Sequence, residues 1–157
     1  YRLLIGLPVT LVFDVLLPGR LLGGDHYNPY TDTMHLYSDL TPISVHEAGH
    51  AFDFSKQKYP GTYALLRFLP FVDLYQEFQA TDEAIEHFIE TGDRKNEFVS
   101  YKTLYPAYGT YVGRYFIAPV GLGIVVFGHL YGRKVARDRR EAYRRLDTMK
   151  EAAGTGK

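Results

Sequence analysis

Residues 41–55, TPISVHEAGHAFDFS, are the stretch that decides which fold this sequence can adopt. Thr41 and Pro42 are typical of a helix start, with Thr at the N-cap and Pro in the first helical position. No further proline follows within the segment, so we expect a single helix that runs to its end. His46 and His50 are four residues apart and would share one face of that helix. The segment therefore predicts a helix that presents two imidazoles side by side.

Two histidines and a glutamate in the pattern HExxH form the core of a zinc hydrolase. His46 and His50 would each give a ring nitrogen to a zinc ion, while Glu47 would address the water that the ion activates. A hydrolytic zinc site takes three protein ligands, so one more must come from elsewhere in the chain. Cysteine is absent, which excludes thiolate ligands. Glu77 is the best candidate, because a helix packed antiparallel on the motif helix would bring its carboxylate to the ion.

The motif and the residues that follow it resemble the gluzincin group of zinc metallopeptidases, in which a glutamate from a downstream helix completes the site. The similarity rests on HEAGH at residues 46–50, on its uncharged neighbours and on QEFQATDEA at residues 76–84. It covers roughly residues 33–90 of the chain. What the resemblance implies is peptide-bond hydrolysis with a zinc ion held by His46, His50 and Glu77, and with Glu47 as the general base.

Side chains that would support the ligand histidines are expected on both helices. Asp53 stands three positions after His50 on the ligand face, where it could hydrogen-bond an imidazole. On the downstream helix, Thr81 or Asp82 could orient a ring from outside the ligand set. The thermolysin-like pattern has an acid four positions after the ligand glutamate; here Thr81 occupies that place and Asp82 follows it. The alternative for Glu77 is a solvated helix carboxylate, the commoner fate of an isolated glutamate.

The elements around the motif helix follow from turn signals and from the spacing of apolar residues. Residues 33–37, TMHLY, alternate weakly between apolar and polar, which is typical of a short strand that needs a partner. After the break at residues 59–61, we expect a helical stretch over residues 62–69. A longer helix over residues 71–90 should bury one face and end at Gly92, because its apolar side chains recur at helical spacing.

Two apolar stretches flank this central part of the chain. Residues 115–131 carry no charge and residues 3–17 carry only Asp14, so we expect one or two membrane helices. The predicted fold class is mainly α, a zincin-like helical domain with a short strand, flanked by one or two transmembrane helices. The expected parts are an N-terminal membrane segment over residues 1–22, the zincin-like domain over residues 23–112, a transmembrane helix over residues 113–132 and a basic tail over residues 133–157.

The charges are distributed unevenly along the chain. Residues 21–112 carry 13 acidic and 6 basic side chains, whereas residues 132–157 carry 9 basic and 4 acidic ones. A basic stretch directly after an apolar one marks the cytoplasmic side of a bilayer, so we expect an integral membrane protein with its acidic middle domain outside the cytoplasm. The lipid bilayer is the expected partner of the tail, and the acids among its bases argue against a nucleic-acid surface. The tyrosine-rich residues 98–116 are interpreted as a linker that ends in an aromatic belt.

A second function stays open beside the zinc metallopeptidase. The chain could be an accessory subunit of a larger membrane complex, for example an energy-transducing one, in which the zincin-like module packs against other subunits without turnover. Gly121, Gly123 and Gly128 favour this alternative, because glycines in an apolar helix permit close approach of other helices. Whether the chain is an enzyme is not decided by its sequence. Asp14 and His129 are interpreted as residues at the membrane surface, with a functional role for either left open.

Overall fold

The computed structural model describes residues 2–16 and 24–154. Residues 1 and 17–22 of the predicted N-terminal membrane segment and the side chain of Asp14 lie outside the described part of the chain. The chain divides into two compact units, Tyr1–Thr91 and Gly92–Lys157. Helices dominate both units, which confirms the predicted mainly α fold class.

The first unit opens with a helical segment that is followed by a β-hairpin. α1, Leu7–Thr10, is flanked by π-helical turns at Arg2–Gly6 and Leu11–Leu16. The hairpin pairs β1, His26–Asn28, antiparallel with β2, Thr33–His35. The short strand that was expected to need a partner has therefore found one immediately before it in the chain.

β2 is shorter than the predicted strand over residues 33–37. The backbone N–H groups of Tyr37 and Ser38 both donate to the carboxylate of Asp25, over 2.9 Å in the case of Ser38. These amides are consequently not available to a strand ladder. The prediction was wrong for the last two residues, because a local side-chain acceptor takes the place of a partner strand.

Three helices complete the first unit. These are α2, Thr41–Ser55, α3, Pro60–Leu66, and α4, Val72–Glu90. α2 and α4 lie where the sequence predicts them, to within one residue at each end. α3 begins and ends earlier than the predicted residues 62–69, because Pro60 itself serves in the first turn, where a missing N–H costs nothing. The connection to α4 then turns at Phe71, which has a left-handed φ of 68°.

The start of α2 differs from the predicted cap by one residue. Leu40 is the N-cap, without a side-chain capping hydrogen bond, and Thr41 is the first helical residue. The amides of Ile43 and Ser44 donate instead to the carbonyl of Leu40, over 2.9 and 3.2 Å. The predicted threonine cap was therefore wrong, although the helix starts where expected.

α2 and α4 pack closely and run in opposite directions. His46 of α2 meets Thr81, and His50, one turn later on α2, meets Glu77, one turn earlier on α4. The close approach depends on Gly49, since a Cβ at this position would lie only 2.8 Å from the carbonyl oxygen of Ala80. The glycine inside the motif thus lets the downstream helix reach the two imidazoles.

A small apolar core supports the other side of this helix pair. It joins the hairpin region, α2 and α3, and the N-terminal helical segment packs against it. The buried members are Tyr30, Phe54 and Ala64, with Ile5, Val9, Tyr27 and Tyr63 packed on them. The core therefore fixes the hairpin and the N-terminal segment against the motif helix.

The second unit is a hairpin of two helices, α5, Arg94–Gly113, and α6, Ala118–Gly154. α5 occupies most of the stretch that we interpreted as a linker, residues 98–116, and that interpretation was wrong. Tyr101 and Leu104 are buried one helical turn apart, so packing against α6 holds this segment helical in spite of Pro106 in its interior.

Glycines allow α5 and α6 to approach each other. A Cβ at Gly121 would lie 2.6 Å from the carbonyl oxygen of Gly113, and one at Gly128 would lie 2.9 Å from that of Tyr105. A Cβ at Gly123 would meet no atom within 4 Å. Of the three glycines that the sequence analysis singled out, two pack against a helix of the same chain.

α6 holds the second apolar stretch and most of the basic tail in one continuous helix of 37 residues. Among the helices in residues 2–16 and 24–154, none combines the length and the apolar character that a membrane crossing requires. His129 lies on an exposed side of α6.

Candidate metal centre

Three side chains from α2 and α4 converge in the first unit. Nε2 of His46 lies 3.2 Å from Oε2 of Glu77, and Nε2 of His50 lies 3.4 Å from Oε1 of the same carboxylate. The potential ligand atoms of the three residues are all within 4.8 Å of one another. The histidine rings meet edge-on, with their centroids 4.7 Å apart. The structure thus brings together the three residues that the sequence predicts as ligands.

The donor set and its spacing fit a small divalent cation. Zinc binds histidine nitrogens and carboxylate oxygens at about 2.0–2.1 Å, which places two ligands of a tetrahedral ion about 3.3 Å apart. The separation of 3.2 Å between Nε2 of His46 and Oε2 of Glu77 is close to that value, and Nε2 of His50 lies 3.4 Å from the other oxygen of the same carboxylate. Two imidazoles with one glutamate are also the ligands of several hydrolytic zinc sites. We conclude that these three residues could hold zinc, with their role as ligands still a prediction.

Glu77 is an almost fully buried carboxylate, with 2% of its side chain exposed. Burial alone would raise its pKa, but hydrogen bonds with His46 and His50 and the positive charge of Arg67 outweigh that effect and hold the pKa well below its usual range. Glu77 is thus anionic at neutral pH. The alternative of a solvated helix carboxylate does not describe this side chain.

Glu47, the expected general base, is buried and points toward the hairpin. Burial raises its pKa above the ordinary value, and the neighbouring His50 and His46 oppose that rise. The backbone N–H of Tyr27 in β1 hydrogen-bonds the Glu47 carboxylate. The strand next to the motif glutamate is therefore β1, and the raised pKa makes Glu47 a stronger base than an exposed glutamate.

The predicted supporting residues have different surroundings. Oγ1 of Thr81 lies 3.4 Å from Nδ1 of His46, so the residue at the expected position four after Glu77 does approach a ligand ring. Asp53 is buried, but its carboxylate accepts a hydrogen bond of 2.6 Å from the hydroxyl of Tyr63. Asp82 is exposed on α4.

The two imidazoles are not supported equally. Nδ1 of His46 has Thr81 beside it, whereas Nδ1 of His50 is buried and has no hydrogen-bond partner in the described part of the chain. Ligand histidines usually donate this second ring proton to a protein or water acceptor. His46 is therefore the better oriented of the two rings.

One residue of the centre was missed by the sequence analysis. Arg67, which caps the C-terminus of α3, donates from Nη2 to Oε1 of Glu77 and from Nη1 to Oε1 of Gln76, the latter over 3.2 Å. Arg67 follows no motif spacing, and it reaches Glu77 only because α3 ends beside the first turns of α4. A sequence pattern offers no signal for such a contact.

A groove also lies between α2 and α4, with a cavity volume of about 520 Å³. Val45 and Phe52 of α2 line it together with Glu83, Glu86 and Glu90 of α4. These residues lie on other faces of their helices than the three candidate ligands. The groove is therefore separate from the candidate metal centre.

Comparison of this chain with protein-family models, with curated proteins and with solved structures finds no match. The likeness to gluzincins accordingly rests on the residues of the motif and on the geometry of the centre.

Proposed function

We propose that the first unit is a zinc-dependent peptide-bond hydrolase of the gluzincin type. His46, His50 and Glu77 are the proposed zinc ligands, and Glu47 is the proposed general base. The observation that carries the proposal is the convergence of two imidazole nitrogens on one anionic carboxylate, with Nε2 of His46 3.2 Å from Oε2 of Glu77 and Nε2 of His50 3.4 Å from Oε1. Three such donors leave a fourth position for water, as hydrolytic zinc sites require.

Glu47 and Tyr27 have separate roles in the proposed reaction. Zinc, when bound, lowers the pKa of water to about 7 and polarises a carbonyl group. Glu47 accepts the proton of the attacking water and later passes it to the leaving amine. Its raised pKa suits this role, because a base with a pKa closer to the working pH transfers protons more effectively. The amide of Tyr27 holds the carboxylate in place on one side.

The test combines metal analysis with proteolysis assays on the purified full chain. Wild-type protein should retain about one equivalent of zinc per chain after dialysis, as a site with three protein ligands predicts. Glu47→Gln should keep the zinc and lose about 10²- to 10⁴-fold in hydrolysis of a mixed peptide library, the usual contribution of a general base. Glu86→Gln, an exposed glutamate of the α2–α4 groove, is the matched control and should leave both quantities unchanged.

Absence of zinc from the wild-type protein would contradict the proposal outright. Retained zinc together with equal hydrolysis by wild type and Glu47→Gln would contradict the catalytic role while leaving the metal site intact. That second result would favour a non-catalytic module.

The alternative is an accessory subunit of a larger membrane complex. The observation in its favour is an uncovered apolar side in the first part of α6, where three large apolar residues keep 62 to 66% of their surface. These residues are Leu122, Phe127 and Leu130. An apolar surface of this kind is typical of contact with lipid or with another protein. In this alternative the bilayer and neighbouring membrane subunits are the partners, the acidic part lies outside the cytoplasm and the basic C-terminus lies inside.

Fractionation of cells that express the full chain tests the alternative. The wild type should be recovered with membranes, whereas Leu122→Glu and Phe127→Glu together should release it to the supernatant, because charges on that side oppose burial in lipid or in an apolar interface. Recovery of the wild type in the supernatant would contradict this placement.

A further inference from the structure

Arg67 gives the two oxygens of Glu77 different surroundings. Oε1 accepts a hydrogen bond from Nη2 of Arg67 and lies 3.4 Å from Nε2 of His50, whereas Oε2 lies 3.2 Å from Nε2 of His46. A bond between a guanidinium and a carboxylate is charge-assisted and about twice as strong as one between neutral groups. One oxygen of the proposed zinc ligand is thus already engaged by a side chain of the protein.

The direction of the Arg67 guanidinium is itself fixed. Nη1 donates to Oε1 of Gln76 over 3.2 Å, and Nε2 of Gln76 in turn donates to the carbonyl of Tyr63 over 3.0 Å. Gln76 is fully buried, so this chain of hydrogen bonds has little freedom. Because the guanidinium is planar, its two contacts determine which Glu77 oxygen it addresses.

We propose that Arg67 is a positioning residue that keeps Oε1 of Glu77 out of the ligand set, so that a divalent cation meets the single oxygen Oε2. The inference rests on the proposed function insofar as it needs a metal at this centre. A glutamate that offers one oxygen favours a small four-coordinate ion such as zinc. A glutamate that offers both oxygens favours higher coordination numbers, as in calcium sites.

Cobalt(II) is the probe for this inference, because its visible absorption reports coordination number. Four-coordinate cobalt absorbs strongly since its site lacks a centre of symmetry, and the bands weaken when a fifth ligand atom is added. The full chain would be titrated with cobalt as wild type, Arg67→Gln and Arg67→Lys, with the bound amount measured by equilibrium dialysis. Lys56→Gln is the matched control, since it removes another cation of the first unit, one that pairs with Glu83.

The wild type and Lys56→Gln should give the intense spectrum of a four-coordinate ion. Arg67→Gln should lose much of that intensity per bound cobalt, because Oε1 of Glu77 becomes free to join the ligand set. Arg67→Lys replaces the planar guanidinium with one ammonium group and should lose less absorption intensity per bound cobalt. If Arg67→Gln does not fold, the spectrum of Arg67→Lys tests the inference.

The possible failures can be distinguished. Cobalt binding with identical spectra in the wild type and the Arg67 variants would overturn the role of Arg67 and leave the proposed metal site standing. A weak, five-coordinate spectrum in the wild type would also overturn the role of Arg67 and leave the proposed metal site standing. If no variant binds cobalt, the proposed function and this inference both fail.

Discussion

The two units each contain a close helix pair with a buried carboxylate at its seam. In the first unit, Gly49 lets α4 approach α2, and Glu77 is 2% exposed. In the second unit, Gly121 lets α6 approach α5, and Glu97 is fully buried. In both helix pairs a glycine permits the close approach of the two backbones. The pairs therefore differ in the partners of their buried carboxylates.

The partners of Glu97 are all hydrogen-bond donors of fixed protonation. Its carboxylate accepts from Nε of Arg139 over 2.7 Å and from the hydroxyls of Tyr143 and Tyr101 over 2.7 and 3.1 Å. Burial and the charge of Glu97 raise the pKa of Tyr101, which keeps that hydroxyl protonated. Such a carboxylate is a structural acceptor, since the guanidinium has no lone pair to offer and both hydroxyls donate their protons to Glu97.

The nearest groups to Glu77 are of another kind. Two of its neighbours are imidazole nitrogens, which carry a lone pair when the ring is neutral. One cation can therefore bind both nitrogens and the carboxylate in place of the protons. The comparison shows that burial of a carboxylate does not by itself indicate a metal site, whereas the chemistry of its partners does.

Replacing each carboxylate by its amide should give the largest difference between the two helix pairs. Glu77→Gln should lower zinc affinity by about 100-fold or more, because loss of a charged ligand exceeds the 10- to 100-fold effect of a supporting partner. Glu97→Gln should leave zinc affinity unchanged and lower the free energy of unfolding by about 1–3 kcal/mol, since the amide leaves buried donors unsatisfied. Competition with a chromophoric chelator and urea denaturation measure the two effects.

The two substitutions are expected to act on different properties, Glu77→Gln on zinc affinity and Glu97→Gln on stability. If Glu97→Gln weakened zinc binding as much as Glu77→Gln, the two carboxylates would not differ in function. The distinction drawn from their partners would then have to be abandoned.

Substitution of the glycines in α6 should give a second, smaller effect, on stability. Gly121→Ala should destabilise the second unit by about 1–3 kcal/mol, because its Cβ would lie 2.6 Å from the Gly113 carbonyl and the helices must move apart. Gly123→Ala, two residues away on the same helix, meets no atom within 4 Å and should stabilise it by about 0.5–1 kcal/mol through helix propensity. Thermal unfolding followed by circular dichroism measures both, and equal shifts for the two variants would sink the interpretation of the seam.

The sequence was sufficient where local and tertiary signals agree. α2 was predicted because Thr41-Pro42 marks its start and its motif has helical spacing, and α4 because its apolar residues recur at one helical face. The small side chains of Ala80 and Ala84 on α4 indicate that these two helices can pack closely. Convergence of Glu77 with the two histidines could be anticipated on this basis, since helix spacing limits where the side chain of a downstream helix can lie.

Other features depend on contacts that a linear pattern does not encode. α5 was taken for a linker because its tyrosines precede the second apolar stretch, whereas packing on α6 makes it helical in spite of Pro106. Tyr101, Tyr105 and Tyr108 recur at helical spacing, a signal that we interpreted as an aromatic belt. Arg67 reaches the centre through the end of one helix and the start of another, so sequence spacing alone offered no guide.

The least of the expected effects concerns the unequal support of the two imidazoles. Thr81→Val removes the hydroxyl that lies 3.4 Å from Nδ1 of His46 and keeps the shape of the side chain. Zinc affinity should fall about 10-fold, the lower end for loss of a residue that orients a ligand histidine. Thr91→Val is the matched control, because its hydroxyl donates to the carbonyl of His87 at the end of α4, away from the centre. The control should bind zinc like the wild type in the same chelator competition. An unchanged affinity in Thr81→Val would mean that His46 is oriented by the packing of α2 and α4 alone, in which case the two rings are equivalent and the threonine is a packing residue.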